Sequence, residues 1–253
     1  MKKNILLLSI VTLSLILIAS DCSESTVPET EVEYLLLQAN DYWDYDIYEV
    51  NENGVVSDEL LDSKNVRLRN EETLDKKTAF ELRLDPSSDN ELFTHISADY
   101  DGIFLYMSEV DLNKFVTDPS ISAKIPILIP GWIKIMDFNK NEWESFFFEL
   151  KDQIVEQDTV SGKVQITGKK QDQKEVTYLG KTYFADVVNL TFDLSAKLQS
   201  PSGSTDQTAQ SVFTYTFIEG IGIYSVEQKA NELLGISQNT IEILTGNGFL
   251  GNP

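Results

Sequence analysis

Nucleophilic or metal chemistry in this chain would have to be built from very few groups other than carboxylates. His95 is the only histidine and Cys22 the only cysteine. A Ser-His-Asp or Cys-His site therefore has one imidazole to draw on, and no Gly-x-Ser-x-Gly elbow accompanies it. A lone histidine in strand-like sequence is most often a surface or hydrogen-bonded residue, so no catalytic residue is assigned. A zinc site would need more soft or imidazole ligands than the chain holds. Neither the Gly-x-x-x-x-Gly-Lys-Ser/Thr loop nor a Gly-x-Gly-x-x-Gly turn is present, and no cofactor is expected.

Carboxylates are abundant, 41 Asp and Glu against 20 Lys and Arg, for a net charge of −21. Two pairs at two-residue spacing, Asp44 with Asp46 and Glu142 with Glu144, would share a strand face about 7 Å apart. Glycosidase acid pairs use similar separations. A secreted hydrolase working through such a pair is one reading, and a solvated strand face is the plainer one. Ser97-x-Asp99-x-Asp101-Gly102 matches the first half of a calcium loop, which makes Asp99 and Asp101 a calcium candidate. The bidentate glutamate that should close the loop is replaced by Ser108, and Asp101-Gly102 is equally good hairpin-turn chemistry. A body this acidic repels phosphate backbones, so nucleic acid is not an expected partner.

The elements that would position these groups begin with a leader. Lys2 and Lys3 precede an apolar run over residues 5–19, a positive n-region followed by an h-region too short to span a bilayer. Residues 1–21 read as a signal peptide. Cys22 stands directly after, and residues 22–33 form an acidic stretch with one proline, a composition expected of a flexible stalk. Residues 34–253 read as a single β domain.

Within that body, apolar and polar residues alternate with period two between turn signals. Trp43, Tyr45 and Ile47 alternate with Asp44, Asp46 and Tyr48 ahead of Asn53-Gly54. Residues 94–100 and 103–107 flank Asp101-Gly102 as a hairpin. Residues 132–138 and 143–150 read as another strand pair around Asn139-Lys140-Asn141, apolar on both faces. A polar turn is predicted at Gln171-Asp172-Gln173, and Phe184, Val188, Leu190, Phe192 and Leu194 are predicted to share one face. Gly220 and Gly222 suggest a bulge or a close backbone approach. A short helical turn over residues 228–234, closed by Gly235, and a final strand over residues 240–244 complete the pattern. The expected fold is all-β and mainly antiparallel: a single curved sheet, half-barrel or sandwich with at most one or two short helices.

Ile18-Ala19-Ser20-Asp21-Cys22 resembles the lipobox of bacterial lipoproteins, with Asp21 where that pattern has a small residue. The opening from Tyr34 to Trp43-Asp44-Tyr45 is similar to the Tyr-x-Pro-Leu-x-x-Gly-x-x-Trp-x-Tyr start of a group of uncharacterised lipoproteins of Gram-negative bacteria. Leu36 and Asn40 replace its Pro and Gly. Phe217-Ile218-Glu219-Gly220-Ile221-Gly222-Ile223 matches that group's late aromatic-x-x-Gly-x-Gly strand, and Leu179-Gly180-Lys181-Thr182-Tyr183 its preceding hairpin. The resemblance implies lipid attachment at Cys22, an outer-membrane location in the cell envelope and no defined reaction. The alternative without acylation is a secreted or periplasmic soluble protein. The functional expectation is a non-catalytic binding or interaction module, held to a membrane by its N-terminal lipid and engaging a hydrophobic ligand or a protein partner. Aromatic strands at residues 132–138, 143–150 and 213–217 would supply the face. The alternatives are a structural envelope component without a ligand site and the hydrolase above.

Overall fold

The computed structural model describes residues 34–85, 93–107, 131–230 and 238–248, all within the compact unit Glu33–Pro253. Their strands are β1 (Tyr42–Val50), β2 (Val56–Leu74), β3 (Lys77–Asp85), β4 (Phe93–Asp99), β5 (Gly102–Met107) and β6 (Gly131–Asp137). The second half supplies β7 (Glu142–Val155), β8 (Asp158–Tyr178), β9 (Lys181–Ser200), β10 (Gly203–Ile218), β11 (Gly222–Gln228) and β12 (Thr240–Gly248). The all-β expectation holds, and no helix occurs among the described residues. Gln228 ends β11, and residues 231–237, which contain most of the predicted helical turn, lie outside the described residues.

All twelve strands form one antiparallel sheet in the order β6-β5-β4-β3-β2-β1-β12-β11-β10-β9-β8-β7. Each half of the chain is a meander, and the halves join where β1 pairs with β12. The two outermost strands, β6 and β7, are neighbours in sequence, linked by residues 138–141. A flat sheet of this strand number would be about 50 Å wide. A linker that short reaches at most roughly 18 Å. Connectivity therefore obliges the sheet to roll, and the result is a nearly closed barrel.

The closure corrects one expectation, because β6 and β7 form no ladder. They meet through side chains: the Trp143 indole N–H and the Ser145 hydroxyl both donate to the Lys134 carbonyl, at 2.8 and 2.9 Å. The Trp143 ring lies over Gly168, its register partner on β8, where any Cβ would overlap the indole. Nor are both strands apolar-buried on both faces. β6 buries Ile133, Ile135 and Met136, whereas on β7 Phe147 is 47% exposed, as befits a strand with a solvent-facing side.

Two further expectations are revised by register. The polar residues at 171–173 are not a turn but a bulge within β8, with the register shift between Gln171 and Lys174. Beyond Lys169 no β7 residue pairs with β8, so an extra residue can bulge outward while β9 continues alongside. Phe184 is 70% exposed, although Val188 and Leu190, predicted to share its face, are buried. At that end of the β8–β9 hairpin the opposite face is covered: Val176, Tyr178 and Ala185 are buried, and Tyr178 meets Tyr224 of β11 edge-on at 6.3 Å.

The interior is aromatic and aliphatic, centred on residues such as Tyr45, Leu68, Ile133, Ile166, Leu190 and Phe217. Several of its polar atoms bond across the barrel, while the buried Ser211 and Thr216 hydroxyls make no side-chain hydrogen bond. Trp43 donates its indole N–H to the Ile221 carbonyl, and Tyr45 its hydroxyl to the Ile223 carbonyl, both at 2.8 Å. The Gly220 amide donates to the Tyr34 carbonyl at 2.9 Å. The opening Tyr/Trp/Tyr residues and the late Gly-x-Gly strand, far apart in sequence, are therefore one packing unit.

Candidate functional site

The most concentrated group of charges lies where the β4–β5 and β6–β7 turns come side by side, and it contains the calcium candidate. Asp99 ends β4 and Asp137 ends β6, and each uses one carboxylate oxygen to cap its turn. Asp99 Oδ1 accepts from the amides of Asp101 and Gly102 at 2.8 and 3.2 Å. Asp137 Oδ1 accepts from the amides of Asn139 and Lys140, both at 2.9 Å. These are the local side-chain-to-backbone bonds that make Asp a turn residue.

The remaining oxygens take lysines. Lys77 donates to Asp99 Oδ2 at 2.7 Å. Lys134 donates to Asp101 at 2.7 Å and to Asp137 at 2.9 Å. The two ammonium groups lie over the Phe104 ring, 3.5 and 5.3 Å from its centroid, a cation–π arrangement in a largely buried setting. Positions a divalent cation would occupy in a calcium loop are thus taken up by lysine charge. No group of three or more potential metal ligands occurs among the described residues.

Electrostatics follow the contacts. Burial by itself would raise the Asp99 and Asp137 carboxyls; the lysine hydrogen bonds and the turn amides outweigh it and hold both below the ordinary carboxylate range. Burial would lower Lys134, and its two carboxylate partners raise it instead. All three shifts favour the charged forms, as in a structural ion cluster.

The carboxylate pairs are likewise tied to neighbouring strands. Asp44 accepts from the Asn65 amide at 2.6 Å, and Asp46 from the Ser63 hydroxyl at 2.8 Å, both across the β1–β2 ladder. Glu142 faces Lys169, its register partner on β8, at 2.6 Å, and Glu144 accepts from Gln165 at 3.1 Å. The Lys169 hydrogen bond lowers the Glu142 carboxyl, the direction opposite to that of a general acid.

His95 sits on β4 between Thr94 Oγ1, 2.9 Å from Nδ1, and Glu72 Oε1, 2.6 Å from Nε2. A hydroxyl, an imidazole and a carboxylate are in line here, a grouping the sequence did not announce because Glu72 belongs to β2. The β4–β5 register shifts between Phe93 and His95, at this group. The pairs and the His95 group each bind a structural neighbour.

Of the aromatic strands proposed as a binding face, Trp143, Tyr215 and Phe217 are buried, the last two stacked at 5.9 Å, Phe138, Phe146, Phe148 and Phe213 are half-buried against the core, and Phe147 is exposed. A depression of about 410 Å³ opens elsewhere, on β8–β10, lined by Lys163, Asp193, Leu194, Ser195, Thr208, Ala209 and Gln210. Gln210 donates to Asp193 within it at 2.7 Å. Alternation of polar residues on those strands is the only sequence signal for it. Cys22, the leader and residues 22–33 lie outside the described residues.

No protein-family model matches the chain, and no curated protein matches it. Two crystal structures do. One, described as a "putative lipoprotein" from Parabacteroides distasonis ATCC 8503, has a TM-score of 0.42 at 10% identity, covering 86% of this chain and 99% of that one. The other, described as a "putative exported protein" with a YmcC-like fold from Bacteroides fragilis NCTC 9343, has a TM-score of 0.36 at 10% identity, covering 86% and 100%. Similarity this low supplies no argument about the role of this chain.

Proposed function

We propose that this chain is an exported envelope protein, anchored in the outer membrane by acylation of Cys22, that works as a non-catalytic interaction module for a protein partner. The observation that carries the non-catalytic half is the state of the reactive groups. Asp44, Asp46, Asp99, Asp101, Glu142 and His95 each hold a structural neighbour, and the lysine partners of Asp99 and Glu142 hold those carboxyls below the ordinary range. The anchor half is supported by position: the lone cysteine follows directly on the n-region and h-region. Several acyl chains on one cysteine hold a protein to a bilayer where a single chain binds only marginally. Residues 22–33 would then act as the tether between lipid and barrel, their acidic residues repelled by anionic headgroups.

Intact-mass measurement on the detergent-extracted membrane fraction tests the anchor. The expected species begins at Cys22 and carries acyl mass. A chain of unmodified mass recovered from the soluble fraction would remove the anchor from the proposal.

A further inference from the structure

The antiparallel order puts alternate turns at opposite ends of the barrel. At one end lie the β2–β3, β4–β5, β6–β7, β8–β9 and β10–β11 turns, all within the described residues, so no undescribed loop joins strands there. The chain also enters at this end. The Tyr34 carbonyl accepts from the Gly220 amide at 2.9 Å, and the Tyr34 ring packs on Phe138 with centroids 4.8 Å apart.

Large apolar side chains face solvent in the same place. Leu36, on the entry segment, is 52% exposed, and Tyr100 and Leu179, on turns, are 78% and 71% exposed. Leu179 is the most informative of the three. Its φ of 47° disfavours any residue with a β-carbon, and its exposure leaves the barrel without a return for placing leucine there. Local charge sets this end apart as well. Lys76, Lys140 and Lys181 are exposed on its turns against Asp75 and Glu219, while Asp101 and Glu142 are paired with Lys134 and Lys169. In a chain of net charge −21, the acidity therefore lies elsewhere. The β1–β2 hairpin at the opposite end also exposes aliphatics, Val55 and Leu60 among them. There, however, residues 51–63 hold Glu52, Asp58, Glu59 and Asp62 and no lysine or arginine.

We propose that the end bearing Leu36, Tyr100 and Leu179 rests on the bilayer that holds the acylated Cys22, with these side chains at headgroup depth and Lys76, Lys140 and Lys181 over lipid phosphates. This rests on the anchor in the reading above and adds the orientation of the barrel on its membrane. Tyrosine and leucine flanked by lysine suit the boundary between water and lipid. The tether permits the contact and selects the end. Eleven residues separate Cys22 from Tyr34, and a flexible chain of that length spans roughly 20 Å. The far end lies about 30 Å further, along the nine residues of β1, and its acids would meet anionic headgroups. The acidic hairpin is thereby directed away from the membrane, toward the space where a protein partner would be met.

The test places the full acylated chain in vesicles of phosphatidylethanolamine and phosphatidylglycerol with brominated acyl chains. Acylation blocks Cys22, so a fluorophore on a second cysteine reports one position, Asn139→Cys at the tether end or Glu52→Cys at the other. Bromine quenches only nearby fluorophores, so quenching at position 139 should exceed that at position 52 by roughly fivefold or more. Leu36→Ser, Tyr100→Ser and Leu179→Asn together, all at exposed sites, should leave the melting temperature no lower and cut quenching at position 139 by about half or more.

Equal quenching at both positions, stronger quenching at position 52, or none at either in an acylated chain would overturn the orientation and leave the anchor standing. Unchanged quenching in the triple variant would overturn it as well. If that variant melts early, the comparison of the two labelled positions with Leu36, Tyr100 and Leu179 intact decides. A native chain without acyl mass removes the anchor, and the orientation falls with it.

Discussion

Leu179 and Gly180 form the two-residue turn between β8 and β9, with φ of 47° and 75°. Asp75 and Lys76 form the equivalent turn between β2 and β3, with φ of 47° and 70°. Left-handed φ at both positions is the hairpin geometry that favours Asn-Gly, and a β-carbon held there costs about 1–2 kcal/mol. Leu179 is also 71% exposed, so it recovers little by burial. Leu179→Asn is expected to stabilise the fold by about 1 kcal/mol, read by denaturant midpoint. Gly168→Ala acts oppositely: a methyl group would drive the Trp143 indole off β8 and cost about 1–3 kcal/mol.

Titration gives a prediction of definite sign at this scale. The folded-state carboxyls of Asp99 and Asp137 are lowered, so their contribution is complete above the ordinary carboxylate value of about 4 and is lost as pH falls through the folded value. At the alkaline end, burial pushes Tyr178 up to about 12 and Tyr45 well above its ordinary value. The native tyrosines keep their protons while the unfolded ones ionise near pH 10, so stability falls as pH rises from about 10 toward 12. Lys134, raised by its two aspartates, adds stability that is full below about pH 10 and declines as pH rises through its folded value. Equilibrium denaturation across pH should show a plateau with losses at both ends. A curve flat from pH 8 to 12 would contradict the buried phenols.

At the scale of elements, β6 and β7 are joined by side-chain bonds to the Lys134 carbonyl rather than by a ladder. Trp143→Phe keeps the ring over Gly168 and removes the donor to the Lys134 carbonyl. A loss of about 1 kcal/mol is expected, with faster amide exchange on β6 and little change on β8–β9. Much of the strand pattern was legible because turn chemistry is local: the hairpin read at Asp101-Gly102 forms, with Tyr100-Asp101 as its turn and Gly102 already paired with Asp99, and the gap before β2 holds Asn53-Gly54. The misread elements share a cause. Gln171-Asp172-Gln173 has turn composition, but an uninterrupted β9 keeps β8 extended past the bulge. The strands on either side of Asn139-Lys140-Asn141 look like a hairpin, but they are the two ends of a rolled sheet. The turn-forming role of Asp99 was readable from its neighbours, whereas the lysine that occupies its other oxygen comes from β3 and leaves no local trace.

At the scale of the whole molecule, two meanders meet at β1–β12 and connectivity rolls the sheet. Trp43 and Tyr45 fasten the chain's opening to the β10–β11 turn. That unit accounts for the aromatic opening and the late Gly-x-Gly strand as packing. If residues 22–33 act as the proposed tether, lengthening them with Gly-Ser residues should leave the melting temperature of the barrel unchanged. Fractionation of wild type and Cys22→Ala in a Gram-negative host bears most directly on the account. Wild type is predicted in the outer membrane, released only by detergent, with Cys22→Ala folded and soluble in the periplasm or medium. Equal distribution of both, or an uncleaved chain in the cytosol, would contradict it.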